Sequence, residues 1–361
     1  MIRALSPYYI TTPLTYSGGT TCNKYTLTIQ VWDGDVLAYG GSGVNEYEVT
    51  FLNTGGSTGS HDININAMIQ DYIEFKQPTV NLSDTTQIID GDNQRWVRTF
   101  NTYDGGTAGF NTTVDFMTLG YSYGNEGRNY DTVVGDILLA QQDYKVSRTG
   151  YFIYPFVVSA TQGLTITAES FPGTELNESY NIGNTTGSAN KVVYLWVDLH
   201  DTADDAYVTI TNTNQVTGAS SSLNLDIVNE CKYDPLDVVF QNKDGASQIF
   251  TFFKKQEESM SITDNHFETN RGQASDGYHQ FVRHNVQART TLVAETGFID
   301  EDNTEFVKQM LLSERIWSFV GGVYTPLNII EKSYKYKTRQ NDRLISYTIK
   351  FEKSYNEINN I

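Results

Sequence analysis

The chain has 361 residues, enough for two or three domains that each bury a core. Against 25 lysines and arginines stand 43 aspartates and glutamates, and the formal net charge of −18 argues against nucleic acid and an anionic membrane surface as partners. Hydrophobic residues make up 39% of the chain, with 24 Tyr and 18 Phe, which excludes a disordered protein.

Threonine, asparagine, serine and aspartate are abundant, as are the 29 glycines, while prolines number only 7. Strands take Thr and Tyr and turns take Asn, Asp and Gly, so this mixture belongs to β proteins with many turns. The expected fold is mainly β: serial β-sandwich-like domains followed by a C-terminal α+β module with one amphipathic helix. The two cysteines, Cys22 and Cys231, lie far apart. They offer neither a disulfide framework nor a CxxC zinc site, and are expected reduced and partly buried. No stretch reaches the roughly twenty apolar residues of a membrane span. The start, Met1 to Pro7, has no apolar signal core, so folding in a cytoplasm is expected.

Residues 1–80 read as a first β-sandwich-like domain. Tyr25, Leu27, Ile29 and Val31 alternate before a turn at Trp32-Asp-Gly-Asp35, and Glu46 to Phe51 is the next strand. A polar loop spans residues 53–60. Ile65, Met68, Ile69, Tyr72 and Ile73 then recur at helical spacing.

Residues 81–230 read as a central β domain with a Gly/Tyr-rich arm. Gln94 to Phe100 is a strand and residues 104–111 a Gly-rich loop. In Leu119 to Tyr130, glycines interleave with tyrosines too closely for a stable helix or regular strand, which leaves a packed loop or a contact arm. Strands are expected at 151–158, 163–167, 191–197, 206–211 and 222–228, with a long polar loop from Pro172 to Ala189.

Residues 231–361 read as the C-terminal α+β module. Two β-branched and aromatic runs joined by Asn242-Lys-Asp-Gly245 form a hairpin. After Thr296 comes the long helix, with Asp302 as N-cap, Glu305 completing a capping box, and Phe306, Val307, Met310 and Leu311 on one face. Residues 316–320 and 323–330 pair across Gly321-Gly322, and residues 345–351 alternate with period two after a turn at Gln340.

No catalytic pattern is present: neither G-x-S-x-G, nor H-E-x-x-H, nor G-x-x-x-x-G-K-[ST]. The densest group of hard ligands is Asp198, His200, Asp201, Asp204 and Asp205, whose spacing matches no EF-hand loop and reads better as a solvated turn. Asp90-Gly-Asp-Asn93 reads the same way. His279 and His284, five apart on one strand, face opposite sides and do not share a metal with His266. No catalytic residue, cofactor or metal site is therefore assigned. Tyr121, Tyr123 and Tyr130 are the candidate contact residues, because tyrosine covers large area with few rotors and is enriched in interfaces.

Several segments resemble a module of virion proteins of tailed bacteriophages, especially those infecting Bacteroidetes-type hosts. They are Tyr233-Asp-Pro235, Phe240 to Gly245, Phe250 to Lys255, Thr296-Gly-Phe298, Leu311 to Glu314 with Trp317, and Asn341 to Phe351. Ser6 to Ile10 and Trp96-Val-Arg98 are similar too. The resemblance implies a structural subunit of the tail, baseplate or neck, present in the virion as a symmetric multimer. Its partners would be copies of itself and other virion proteins. Two alternatives are a receptor- or glycan-binding tail protein that contacts a host surface glycan, and a glycan-degrading enzyme whose paired carboxylates sequence spacing cannot reveal.

Overall fold

A computed structural model describes the chain except residues 17–19, 22, 34–42, 54–58, 92–93, 104–113, 130–136, 140–142, 159–162, 173–175, 183–190, 201–205, 229–231, 270–276, 278, 301–302, 331–343 and 359–361. Both cysteines fall outside the described residues, as do the expected turns around Gly34 and Gln340. The fold is mainly β. Two compact units emerge, Met1–Val228 with Gln241–Gln248, and Asn229–Phe240 with Ile249–Ile361.

In the first unit, a five-stranded sheet runs in the order Ile2–Arg3, Val114–Thr118, Gln94–Tyr103, Lys24–Trp32, Asn45–Leu52. Between Gln94–Tyr103 and the edge strand lies Lys24–Trp32, the strand whose alternation was plainest. Tyr25, Leu27, Ile29 and Val31 are fully buried, and Ile65, Ile69 and Ile73 pack against them. The expected helical spacing there yields one α-turn, Asn66–Ile69, followed by a 3₁₀ turn, Gln70–Tyr72. Lys24–Trp32 pairs with Gln94–Tyr103 over eight residue pairs, so this sheet joins strands from either side of residue 80.

A second sheet of the same unit has the order Asp143–Ser147, Ser220–Val228, Tyr207–Asn214, Leu164–Phe171, Asn177–Ile182. It buries one face, with Leu164, Ile166, Val208, Ile210, Leu223 and Leu225 inward. A three-stranded sheet, Tyr151–Val158, Lys191–Asp198 and Thr86–Asp90, packs on it: the Tyr144 and Phe152 rings meet edge-on at 5.2 Å, and Tyr180 Oη donates to the Thr86 carbonyl at 3.1 Å. Burial pushes the Tyr154 phenol above its ordinary pKa. Every residue of Tyr151–Val158 is buried, which explains its continuous apolar run. The expected loop from Pro172 to Ala189 is corrected here. Asn177–Ile182 is a strand paired with Leu164–Glu169, and its polar sequence suits an edge whose outer side chains meet water.

A seven-stranded sheet, in the second unit but for Gln241, Ser247 and Gln248, runs Ser247–Phe252, Leu236–Gln241, Ile316–Val320, Val323–Ile329, Thr348–Lys353, Phe281–Glu295, Gln256–Glu268. The Gly321-Gly322 turn has φ of +57° and +84°, the paired positive values of a type I′ hairpin. Ile345, Tyr347, Ile349 and Phe351 are all buried, so the period of two persists across the break between Leu344–Ile345 and Thr348–Lys353. The helix is Thr304–Leu312, with Phe306, Val307 and Met310 buried. Phe306 lies 5.3 Å from the Phe240 ring and 4.6 Å from Phe250.

The expected cap is corrected. The N-cap is Asn303 in an αR conformation with no side-chain cap bond, and Asp302 lies outside the described residues. With the start moved by one residue Glu305 no longer stands third after the cap. It accepts instead from Gln309 Nε2 at 3.2 Å and pairs with Lys308 at 3.6 Å.

Candidate functional site

The Gly/Tyr-rich arm is a packed loop, fastened almost residue by residue within the first unit. Leu5 N–H donates to the Gly120 carbonyl at 3.0 Å, and Tyr121 N–H donates to the Lys243 carbonyl at 2.8 Å. The Ser122 amide and hydroxyl both bond Ser6 Oγ. At the far end Asn129 brackets Tyr9, accepting from its N–H at 2.6 Å and donating to its carbonyl at 2.7 Å. Arg128 lies over the Tyr9 ring at 5.1 Å and pairs with Asp62 at 2.6 Å.

Two glycines make this closeness possible. A Cβ on Gly120 would stand 2.9 Å from the Asp244 and Lys243 backbone, and one on Gly245 would stand 2.6 Å from the Gly120 nitrogen. Gly245 also sits at φ +74°. The Asn-Lys-Asp-Gly turn and the Gly/Tyr arm, 120 residues apart in sequence, are therefore backbone neighbours.

Four charges close the junction. Arg3 pairs with Asp244 and Lys243 with Glu126, and Arg3 also reaches Glu126 at 3.8 Å. Lys243 Nζ lies 4.8 Å from the centre of the Tyr123 ring, and Tyr121 meets Tyr123 edge-on at 5.8 Å. The Arg3 side chain is only 4% exposed and the other three no more than 19%. Burial works against a charged Glu126, yet hydrogen bonds from Lys243 and the Tyr123 amide, with Arg3 nearby, hold its carboxyl below the usual range. The cluster is neutral overall, as a group so far from water must be. Of the candidate contact residues, Tyr121 and Tyr123 are thus half-buried at this junction, and Tyr130 lies outside the described residues.

The acidic group at the end of Lys191–Asp198 shows two members. Asp198 accepts from the His200 amide at 2.9 Å and bonds His200 Nδ1 at 2.5 Å, while Asp201, Asp204 and Asp205 lie outside the described residues. Asp90 pairs with Lys191 at 2.6 Å. His266 and His284 occupy opposite faces of a strand pair, since Arg283 is the partner of His266 and Asn265 that of His284. Among the described residues no three His, Cys, Asp or Glu side chains gather as metal ligands. A cavity of about 170 Å³ lies between Tyr9, Ile65, Val97 and Asn129, with Asp115 the carboxylate in its lining.

A second feature stands out, and sequence patterning read only part of one strand. Gln256–Glu268 and Phe281–Glu295 form a long antiparallel ribbon. Thr348–Lys353 pairs with it only from Thr291 onward. Every residue from Glu257 to Glu268 except Asp264 is exposed, on both faces. Near its middle the register slips between Thr263 and Asn265, opposite Asn285 at φ +50°, an irregularity that increases twist. Met260, Ile262, Phe267 and Phe281 are 48–62% exposed. Strict alternation of Met260 and Ile262 between polar residues was the available signal, but two apolar positions in a run of Glu, Ser and Thr give a weak pattern.

Neither a protein-family model nor a curated protein sequence matches this chain.

Proposed function

We propose that the chain is a structural subunit of a bacteriophage virion, of the tail, baseplate or neck, that assembles in the host cytoplasm into a symmetric multimer. The observation that supports this most is the ribbon. Strands of 13 and 15 residues, with both faces open over much of their length, suit contact with another large surface. The tightly stitched junction at Arg3, Glu126, Lys243 and Asp244 fits a subunit that must hold its shape under load. In this reading the chain catalyses nothing and its partners are proteins. Mass spectrometry of purified particles of the encoding phage tests it: the reading expects the chain at a fixed copy number, and its absence from intact particles refutes it.

One observation favours binding of a host glycan as a second reading. Phe171 and Tyr207, both exposed, stack at 5.3 Å and 26° at the end of their strand pair. Such a flat aromatic surface can receive a sugar ring. A glycan array probed with the purified chain separates the readings, because the structural one predicts no saturable binding.

A further inference from the structure

The Phe171 and Tyr207 rings sit on the outward face of a sheet in the first unit. Tyr207–Asn214 runs between Leu164–Phe171 and Ser220–Val228, and Asn177–Ile182 forms the edge beyond Leu164–Phe171. Leu164, Ile166, Val208, Ile210, Leu223 and Leu225 point inward, so the alternate positions face water. These outward positions stand in cross-strand rows. Phe171, Tyr207 and Asp226 make the first row, and Glu169, Thr209 and Asn224 the second. In the next two rows every outward side chain of these three strands is threonine or serine. The edge strand continues the last three rows with asparagine and serine. At ~3.4 Å per residue and ~4.8 Å between strands the rows cover about 20 Å by 15 Å, room for a short oligosaccharide.

The polar side chains hold one another in place. Thr209 Oγ1 donates to Asn224 Oδ1 at 3.1 Å, the Thr211 and Ser222 hydroxyls lie 3.0 Å apart, and Thr165 Oγ1 donates to Asn181 Oδ1 at 2.8 Å. A hydroxyl has one donor and two acceptor sites and an amide nitrogen has two donors, so these bonds fix orientation without exhausting the groups.

This chemistry selects the occupant. Protein partners draw on Trp, Tyr and Arg anchors, with Ser and Thr under-represented, and past the two rings these rows offer no aliphatic side chain and no arginine. Nucleic acids and acidic glycans need cations. Glu169 and Asp226 are the charges in these rows, and Lys145, on the next strand, stands opposite Asp226. A neutral sugar meets all of these conditions. Its C–H face packs on an aromatic ring, and its hydroxyls exchange hydrogen bonds with groups that both donate and accept.

We infer that this sheet face binds a neutral oligosaccharide, laid from the Phe171–Tyr207 platform onto the threonine and serine rows. The inference rests on the glycan reading above and gives it a site and a sugar class.

The test probes the full-length chain with an array of neutral glucose, mannose, galactose and N-acetylglucosamine oligosaccharides, set beside sialylated and uronate-containing ones. Neutral oligosaccharides should bind saturably and acidic ones should not. In titrations with the strongest neutral binder, Phe171→Ala with Tyr207→Ala should weaken affinity about tenfold or more. Thr209→Lys with Thr211→Lys, which keeps both rings, should weaken it by about as much. Footprinting of the wild type with hydroxyl radicals is independent of how the variants fold: the bound oligosaccharide should shield Phe171 and Tyr207 from oxidation. Unchanged affinity in both variants, or rings that stay as reactive with the oligosaccharide as without it, overturns the face assignment and leaves the glycan reading standing. Binding confined to acidic glycans overturns the sugar class. An array without saturable binding overturns this inference and the glycan reading together, and leaves the virion reading standing.

Discussion

Glu126→Gln removes one charge from the junction and keeps its shape. The amide can still accept from the Tyr123 N–H, which the carboxylate now holds at 2.8 Å. What disappears is the negative charge facing Lys243 and Arg3, two cations whose side chains are 15% and 4% exposed. Removing one partner of a fully buried pair costs about 3–5 kcal/mol, because the other charge is left without compensation. Partial exposure of Lys243 and the surviving Asp244 beside Arg3 reduce this to about 2–3 kcal/mol. For a unit of this size each kcal/mol moves the midpoint by roughly 2–4 °C, so thermal unfolding at neutral pH should shift down by about 5–10 °C. Acid supplies a second reading of the same group. The folded pKa of Glu126 is lowered, so its stabilisation is complete above the unfolded value near 4.5 and is lost as pH falls through the folded one. The wild type should therefore lose its advantage over the variant below about pH 4.5. Urea titrations of both chains across pH 3 to 7 check this. A difference under about 0.5 kcal/mol at neutral pH, or one independent of pH, would refute the view that this cluster bears charge-dependent load.

Gly245→Ala should cost at least about 3 kcal/mol, since the added Cβ meets backbone at 2.6 Å in a left-handed conformation. Gly277→Ala, at φ +70° with open space around it, should cost only about 1 kcal/mol; equal effects in chemical denaturation would show that the Gly120–Gly245 approach is unimportant. Phe306→Ala should cost about 3–5 kcal/mol, because the fully buried ring touches Phe240 and Phe250. A loss under 1 kcal/mol in the same assay would mean the helix is not packed as described.

Sequence patterning was most reliable where one face of an element is buried and the other is wet. Tyr25 to Val31 and Ile345 to Phe351 alternate because the sheet makes them alternate, and Ile65, Ile69 and Ile73 recur because the α-turn and the 3₁₀ turn between them bring all three into the core. It was least reliable where polar sequence forms regular backbone. Asn177–Ile182 has Asn, Glu and Ser at exposed or half-exposed positions, yet its backbone pairs fully with its neighbour. Ladder hydrogen bonds require only N–H and C=O groups, which every residue but proline supplies, so an edge strand can form without an apolar signature. Gln256–Glu268 is the extreme case: thirteen residues of strand, none of them buried.

The same distinction bears on the tyrosines of the arm. Tyrosines between glycines suggested an arm, because composition alone cannot distinguish a tyrosine awaiting a partner from one already packed at home. Gly120 and Gly245 bring the start of the arm against the Asn242–Gly245 turn. Each lacks a side chain where the other's backbone passes, and such mutual accommodation between positions 120 and 245 is visible only once the two loops meet. Lys243 and Asp244, read in sequence as turn residues, then become the partners of Glu126 and Arg3. Within the Gly-rich segment this close approach belongs to Gly120, while Gly124 and Gly127 have open space around them. On the ribbon Met260, Ile262, Phe267 and Phe281 are exposed, and an apolar side chain leaves water only where something covers it.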